Sequence, residues 1–281
     1  MQKTLKKYFL VFILPTLLAF SMAFIIPFIL GVYLSFCEFT TVDNGKFNGI
    51  QNYINAFASG SGFLSSLGFT VKFVVVAIVL INILAFGLAL LLTKKIKGTN
   101  VFRTVFFMPN LIGGIVLGYT WQQMLNSVLL QHGTNLLAKS TYGYWGLILL
   151  MNWQMIGYMM IIYIAGLQNV PTDLLEAARI DGATNTQTLF KVTIPMVMPS
   201  ITICTFLTLS NSFKLYDQNL ALTAGAPSHQ TEMVALNIVN TFYGRTGYSG
   251  VGQAKAVIFF IIVAGVGLMQ LLFTRKREVD Q

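Results

Sequence analysis

Long apolar runs alternate with short polar ones along the whole chain. Six of these runs come near the roughly 20 residues that a helix needs to cross a bilayer. They cover Tyr8–Phe36, Phe73–Leu92, Val105–Met124, Trp145–Leu167, Val197–Tyr216 and Ala256–Phe273. The pattern predicts an all-α polytopic membrane protein of about six transmembrane helices. Residues 1–281 read as a single transmembrane domain. The first run holds Pro15 and Pro27 and follows Lys3, Lys6 and Lys7. Ser21-Met22-Ala23 is weakly like a signal-peptide cleavage site. The run continues to Phe36, well past a signal peptide's roughly 7–15-residue apolar core, so it reads as a retained helix.

Composition supports the membrane reading. The chain is 55% hydrophobic and only 10% charged, whereas a soluble domain carries roughly 25% charged residues. A net charge of +9 raises the question of nucleic acid. The basic residues, however, sit in short clusters beside apolar runs rather than along one face, so no nucleic-acid partner is expected. Cys37 and Cys204 read as free thiols, and His132 and His229 as ordinary loop residues without metal-site spacing. No metal site is expected.

Most of the 18 basic residues fall on one side of the predicted spans. With the N-terminus inside, the cytoplasmic pieces hold Lys3, Lys6, Lys7, Lys94, Lys95, Lys97, Arg103, Arg179, Lys191, Arg275, Lys276 and Arg277. The external pieces hold Lys46, Lys139 and Arg245, while Lys72, Lys214 and Lys255 are placed at outer helix ends, with the charge snorkelling outward. The positive-inside rule then puts both termini in the cytoplasm. Two external connections are longer. Glu38–Leu67 is mostly polar with an amphipathic piece at Asn52–Phe57, and Asn219–Gln253 is a loop rich in Gly, Ser and Thr. The sequence shows no internal repeat of the kind that builds many secondary transporters.

The connection between the fourth and fifth spans is unusually structured. Pro171 helps end the fourth span. Asp173 with Glu176 three residues on reads as a capping box, and Leu174, Leu175 and Ile180 give the following helix an apolar side. Gly182 is placed to end that helix in a left-handed turn. Thr184 with Gln187 is a second capping box for a helix through Phe190, with Pro195 and Pro199 breaking the chain as it returns to the membrane. An interfacial helix lying on lipid usually has a basic polar face. This loop carries Asp173, Glu176 and Asp181 in its first half, which suits a protein partner better.

Glu176-Ala177-Ala178, Gly182, and then Val192, Ile194 and Pro195 resemble the EAA signature of bacterial ABC importer permeases, and Asp181-Gly182-Ala183 is similar to its carbohydrate-type form. Gly49-Ile50-Gln51-Asn52-Tyr53, Gly133-Thr134-Asn135-Leu136-Leu137, Ser212-Phe213-Lys214-Leu215-Tyr216-Asp217 and Leu222-Thr223-Ala224-Gly225-Ala226-Pro227 resemble further motifs of that family, of the maltose-permease first-subunit type. Ala226 departs from it, standing where the family usually has a second glycine. The long external domain of the enterobacterial maltose subunit is absent from this sequence.

The resemblance implies a type I ABC importer (MetI-like) permease fold, with a core at residues 69–275 that contains a coupling loop at 169–195. It implies a multi-pass protein of the bacterial cytoplasmic membrane, in contact with membrane lipid. The partners it implies are a sister permease subunit, an ABC ATPase dimer and an extracytoplasmic sugar-binding protein, with a sugar or oligosaccharide as cargo. Glu176, Ala177, Ala178, Asp181, Gly182 and Ala183 would form the coupling helix seated on the ATPase. The chain would not itself be an enzyme. It contains no phosphate-loop motif, so ATP and Mg would be bound by the ATPase and no cofactor by this chain.

A sugar pocket needs aromatic faces and hydrogen-bonding groups together. Gln154 and Tyr158 share one face of the fourth span, and Thr208, Asn211, Ser212 and Leu215 form an i, i+3, i+4, i+7 stripe on the fifth. By resemblance these positions would be substrate-binding. The same polar groups would equally serve as hydrogen bonds between helices, and both readings stand. Trp121 and Trp153 read as packing or interface residues, and Lys214 with Asp217 as a structural ion pair. A secondary transporter or channel for a small polar solute is the alternative. It predicts ionisable groups deep in the spans, and the span centres contain none. An intramembrane enzyme would need a catalytic constellation at common depth, which is likewise missing.

Overall fold

The computed structural model describes residues 2–94 and 97–276. Lys95 and Arg277, assigned above to the cytoplasmic side, lie outside the described residues. Helices dominate. α1 (Gln2–Phe20) continues through a π turn at Ser21–Ile25 into α2 (Ile26–Leu34), and Pro27 lies in the first turn of α2. No side chain of α2 is buried, as expected of a helix facing lipid. A short antiparallel pair follows, β1 (Cys37–Glu38) with β2 (Lys46–Phe47), Cys37 opposite Phe47. The expected amphipathic piece is α3 (Gln51–Ala56).

Beyond it come α4 (Phe63–Leu92), α5 (Thr99–Phe107), α6 (Gly114–Leu130) and α7 (Ser140–Gln168). The polar connection is built from α8 (Thr172–Ile180), α9 (Asn185–Thr188) and α10 (Ile194–Met196). The chain closes with α11 (Met198–Phe213), α12 (Asp217–Leu222), α13 (Val234–Gly244) and α14 (Ser249–Arg275).

Among the described residues, four continuous helical stretches are long and apolar enough to cross a membrane: Ile13–Leu34, Phe63–Leu92, Ser140–Gln168 and Ser249–Arg275. The third and fifth predicted spans are not straight. Thr99–Leu111 and Gly114–Leu130 meet at 102°, and Asn185–Met196 and Met198–Phe213 at 70°. The first break has a local cause. Pro109 sits in a tight turn at Met108–Leu111, and Ile112 and Gly113 follow in extended conformation, so the helix ladder stops before Gly114. At the second break a π turn at Leu189–Thr193 carries the chain up to Pro195, and Val197 departs from helical geometry ahead of Pro199. The region 219–253, read above as a loop, is also mostly helical, through α12, α13 and the start of α14. Its Gly, Ser and Thr residues mask the apolar spacing of Val234–Phe242.

The chain forms two compact units, Met1–Phe63 with Ile238–Phe260, and Leu64–Asn237 with Ile261–Gln281. In the first unit Asn52 is buried and donates to the carbonyls of Ser35 (3.0 Å) and Cys37 (2.8 Å), which anchors α3 beneath β1. The hydroxyls of Tyr53 and Ser35 add a 2.6 Å hydrogen bond. These bonds give Asn52 and Tyr53 of the Gly49–Tyr53 stretch a structural role.

The second unit is organised around α7, which buries residues on every side, from Tyr144 through Met151 and Gly157 to Ile164. A helix apolar all round belongs in an interior. α4 offers this core a row spaced four apart, Phe73, Ala77, Ile81, Ala85 and Ala89, all fully buried. Small side chains in such a row let helices close up without the hydrophobic drive available in water. At Gly157 the approach is extreme. A Cβ there would overlap the Phe106 carbonyl at the C-terminal end of α5, so only glycine fits. Trp121 and Trp153 pack edge to face with centroids 5.7 Å apart.

Two expectations about charges are corrected. Lys255 does not snorkel outward. It is buried, because Thr241 Oγ1 and the Ser61 carbonyl, each at 2.8 Å, accept its ammonium hydrogens inside the first unit. Lys214 and Asp217 form no ion pair among the described residues. Lys214 caps the end of α11 while Asp217 begins α12, where its carboxylate faces the positive end of that helix, and both are exposed. Cys37 and Cys204 are both free and buried, and no His/Cys/Asp/Glu cluster suited to a metal occurs among the described residues.

Candidate functional site: a capped polar loop and a buried polar seam

The polar loop has the geometry its residues dictate, with one exception. α8 ends at Ile180, Asp181 is its C-cap, and Gly182 follows at φ +76°. The Ala183 N–H reaches the Ala178 carbonyl at 2.9 Å and the Gly182 N–H reaches Arg179 at 3.1 Å, so two terminal carbonyls are satisfied by the left-handed turn. Thr184 then caps α9. Its Oγ1 accepts the Gln187 N–H at 3.3 Å, and Gln187 Oε1 accepts the Thr184 N–H at 2.8 Å. The exception is Asp173. Pro171, in extended conformation, occupies the N-cap position, and no side chain caps the helix there. Helix therefore starts two residues earlier than the Asp173–Glu176 pairing requires. Asp173 lies in the first turn, where its charge still favours the helix dipole.

Glu176, Ala177, Asp181 and Gly182 are exposed, while Ala178 and Ala183 are half-buried. Leu175 packs against the core of the second unit. Leu174, Ile180 and Phe190 do not. They are 43%, 86% and 63% exposed. Leu189 is half-buried.

The six residues predicted to line a pocket separate into three environments. Gln154 is buried, and its amide is committed at both ends. Its Nε2 donates to the Ile112 carbonyl at 3.2 Å and its Oε1 accepts from Gln218 Nε2 at 2.8 Å. The Ile112 carbonyl is one that the broken span leaves without a helical partner, so Gln154 satisfies the break. Thr208, Ser212 and Leu215 are covered by the chain's own helices. Thr208 Oγ1 donates to the Cys204 carbonyl at 2.8 Å, and Ser212 Oγ makes no hydrogen bond. Tyr158 is half-buried with its ring 6.4 Å from that of Phe107. Asn211 is exposed, its Nδ2 donating to the Leu207 carbonyl at 2.8 Å.

Sequence reasoning missed Asn82, Tyr163 and Gln218. Tyr163 donates to Asn82 Oδ1 at 2.6 Å, while Asn82 Nδ2 donates to the Ile78 carbonyl at 2.8 Å and reaches Thr208 Oγ1 at 3.5 Å. This seam ties α4, α7 and α11 together inside the second unit. A lone asparagine within the second apolar run was the available signal, since a buried amide must find partners. Gln218 falls between the fifth predicted span and the loop from Asn219, where neither pattern marks it.

A family model described as the binding-protein-dependent transport system inner membrane component matches residues 83–279. The chain belongs to that family. It is 43% identical to the probable starch degradation products transport system permease protein AmyD of Thermoanaerobacterium thermosulfurigenes, over 97% of this chain and 96% of that one. It is 31% identical to the multiple sugar-binding transport system permease protein MsmF of Streptococcus mutans, over 99% of each. A bacterial ABC transporter for import of the acidic polysaccharide alginate has the same fold, at a TM-score of 0.82 and 17% identity, with 98% of both chains covered. The MetNI methionine ABC transporter is a more distant neighbour, with a TM-score of 0.56 at 18% identity, over 77% of this chain and 96% of that one. The fold is that of type I ABC importer permeases, and the chain is the membrane-embedded permease component of such an importer.

Proposed function

We propose that this permease imports a sugar or oligosaccharide, delivered by an external binding protein, with a sister permease subunit and an ABC ATPase dimer. The 43% identity to a permease named for starch degradation products supports the carbohydrate class. In this reading both termini lie in the cytoplasm, as the distribution of Lys and Arg favours. ATP and Mg are bound by the ATPase, and this chain carries no cofactor and no catalytic residue.

Coupling belongs to Glu176, Ala177, Ala178, Asp181, Gly182 and Ala183. The observation that carries this is a rigidly terminated helix whose tip exposes apolar side chains. The Gly182 turn and the Thr184 cap hold the loop in one shape, while Ile180 stands almost free beside acidic Glu176. A helix that moves with its partner must be stiff and must present a contact surface, and this one has both. For cargo we retain Gln154, Tyr158, Thr208, Asn211, Ser212 and Leu215. Tyr158 and Asn211 have accessible surface already, whereas Thr208, Ser212 and Leu215 become accessible only if the helices separate. Separation of helices is the step that alternating access requires.

Mild-detergent purification of the tagged chain, with every co-purifying protein identified, tests the assembly. An ATPase, a second permease and an external sugar-binding protein should be recovered together. Recovery of the chain alone, or only with copies of itself, would refute it.

A further inference from the structure

The first unit contains a cavity of about 180 Å³ whose walls include Asn55, Ser59, Ser61, Thr241, Arg245, Tyr248 and Lys255. Two cations line it, and no Asp or Glu is among its lining residues. Lys255 is 1% exposed. A buried ammonium is costly unless its hydrogens are taken up. Here the Ser61 carbonyl and Thr241 Oγ1 accept from Nζ, and the Phe63 ring lies beneath it at 5.8 Å. Those contacts fix the position of the charge at the wall. Arg245 is exposed and lies 5.8 Å from the centre of the Tyr248 ring. One cation is thus held rigidly and the other is free to adjust. The Ser59 and Tyr248 hydroxyls and the Asn55 amide complete the wall, while the Ser61 hydroxyl donates to the Ala56 carbonyl at 2.7 Å. This is the donor set that binds an oxyanion.

The depth of the cavity narrows the choice of anion. Ser61 stands just before the first residues of α4, and Lys255 just before the apolar run Ala256–Phe273 of α14. The Lys255 wall lies where α14 changes from polar to apolar, the level of phospholipid headgroups. Phe57, Tyr243 and Tyr248 in this unit are exposed, and aromatic side chains concentrate at that same level. Ile54 of α3 is exposed too, as suits a short helix lying against acyl chains.

We infer that this cavity holds the phosphate of an anionic phospholipid headgroup, with Arg245 and Lys255 as its counter-charges. The inference does not depend on which solute is transported. Such a lipid would tie the end of α3 to α13 and α14 by bridging residues 55–61 and 241–255.

The test is native mass spectrometry of the full chain in mild detergent, with equal amounts of phosphatidylglycerol and phosphatidylcholine. The wild type should retain phosphatidylglycerol preferentially. Arg245→Gln should lower that retention about fivefold, the scale of one cation near a membrane surface. Because Arg245 is exposed, its replacement spares the fold. Lys139→Gln, a basic residue outside the cavity, should change nothing. Equal retention of the two lipids, or wild-type retention by Arg245→Gln, overturns the inference. So does displacement of the lipid by an equal concentration of inorganic phosphate, which would mean that the cavity reads a free anion. Retained lipid together with lost binding of the external protein in Arg245→Gln would make a protein carboxylate the occupant, and would overturn it as well.

Discussion

The Tyr163 hydroxyl donates to Asn82 Oδ1 at 2.6 Å, joining α4 to the C-terminal half of α7 through a pair in which Tyr163 is fully buried. Asn82 is held in turn by the Ile78 carbonyl and by Thr208 Oγ1. In an interior without water, each of these groups has only the others to satisfy it. Tyr163→Phe removes one hydroxyl, leaves the ring packing against Phe86, and orphans the Asn82 carbonyl oxygen. The variant should lose about 1 kcal/mol of stability. Denaturant titration in detergent, followed by tryptophan fluorescence, measures it. An unchanged midpoint would show that the seam does not hold the helices.

Gly157 against the Phe106 carbonyl makes a stronger demand, because the obstacle is backbone and cannot rotate away. Gly157→Leu should force α5 from α7 and cost about 3 kcal/mol or more. A large fall in thermal stability, or loss of the chain from membranes, is the expected outcome. A variant as stable as the wild type would mean that α5 does not pass this closely.

Gly182 is the opposite case. A Cβ there meets nothing within 4 Å, so the only cost of a side chain is the positive φ. Gly182→Val should therefore unwind the turn between α8 and α9 by about 1–2 kcal/mol of local strain while the spans insert normally. Solute uptake should fall, with membrane levels unchanged. Normal uptake at normal levels would separate the loop from transport.

Tyr158 and Asn211 have surface to offer a ligand without first separating helices. The double variant Tyr158→Ala with Asn211→Ala should cut uptake and leave assembly with partner subunits intact. Loss of assembly with it would show these side chains to be interhelical ties.

The sequence revealed much of this architecture because a bilayer imposes length and polarity on each span. Glycine and capping residues likewise impose the shape of the α8–α9 loop. Gly182 and the Thr184–Gln187 pair act within five residues of one another, and their turn and cap form as the local sequence dictates. The failures share a different origin. Pro109 was absorbed into an apolar run, because hydropathy does not register a missing N–H, and the third span broke there at 102°. Lys255 was placed outside because charge was weighed without the Thr241 hydroxyl and Ser61 carbonyl that fold over it. The stripe holds on α11 for Thr208, Asn211 and Ser212, while Leu215 lies past the end of that helix. The stripe's exposure depended on α4 and α7, which spacing on one helix cannot report, so only Asn211 of the four residues is exposed.

The central claim is that the tip of α8 contacts the ATPase, and Ile180 offers the most direct test. It is 86% exposed, and both native cysteines are fully buried, so Ile180→Cys would carry the one accessible thiol among the described residues. A photoreactive maleimide placed on that thiol in native membranes, followed by illumination, should give an adduct with the ATPase subunit. An adduct confined to lipid would mean that α8 only lies on the membrane surface, and would contradict the account.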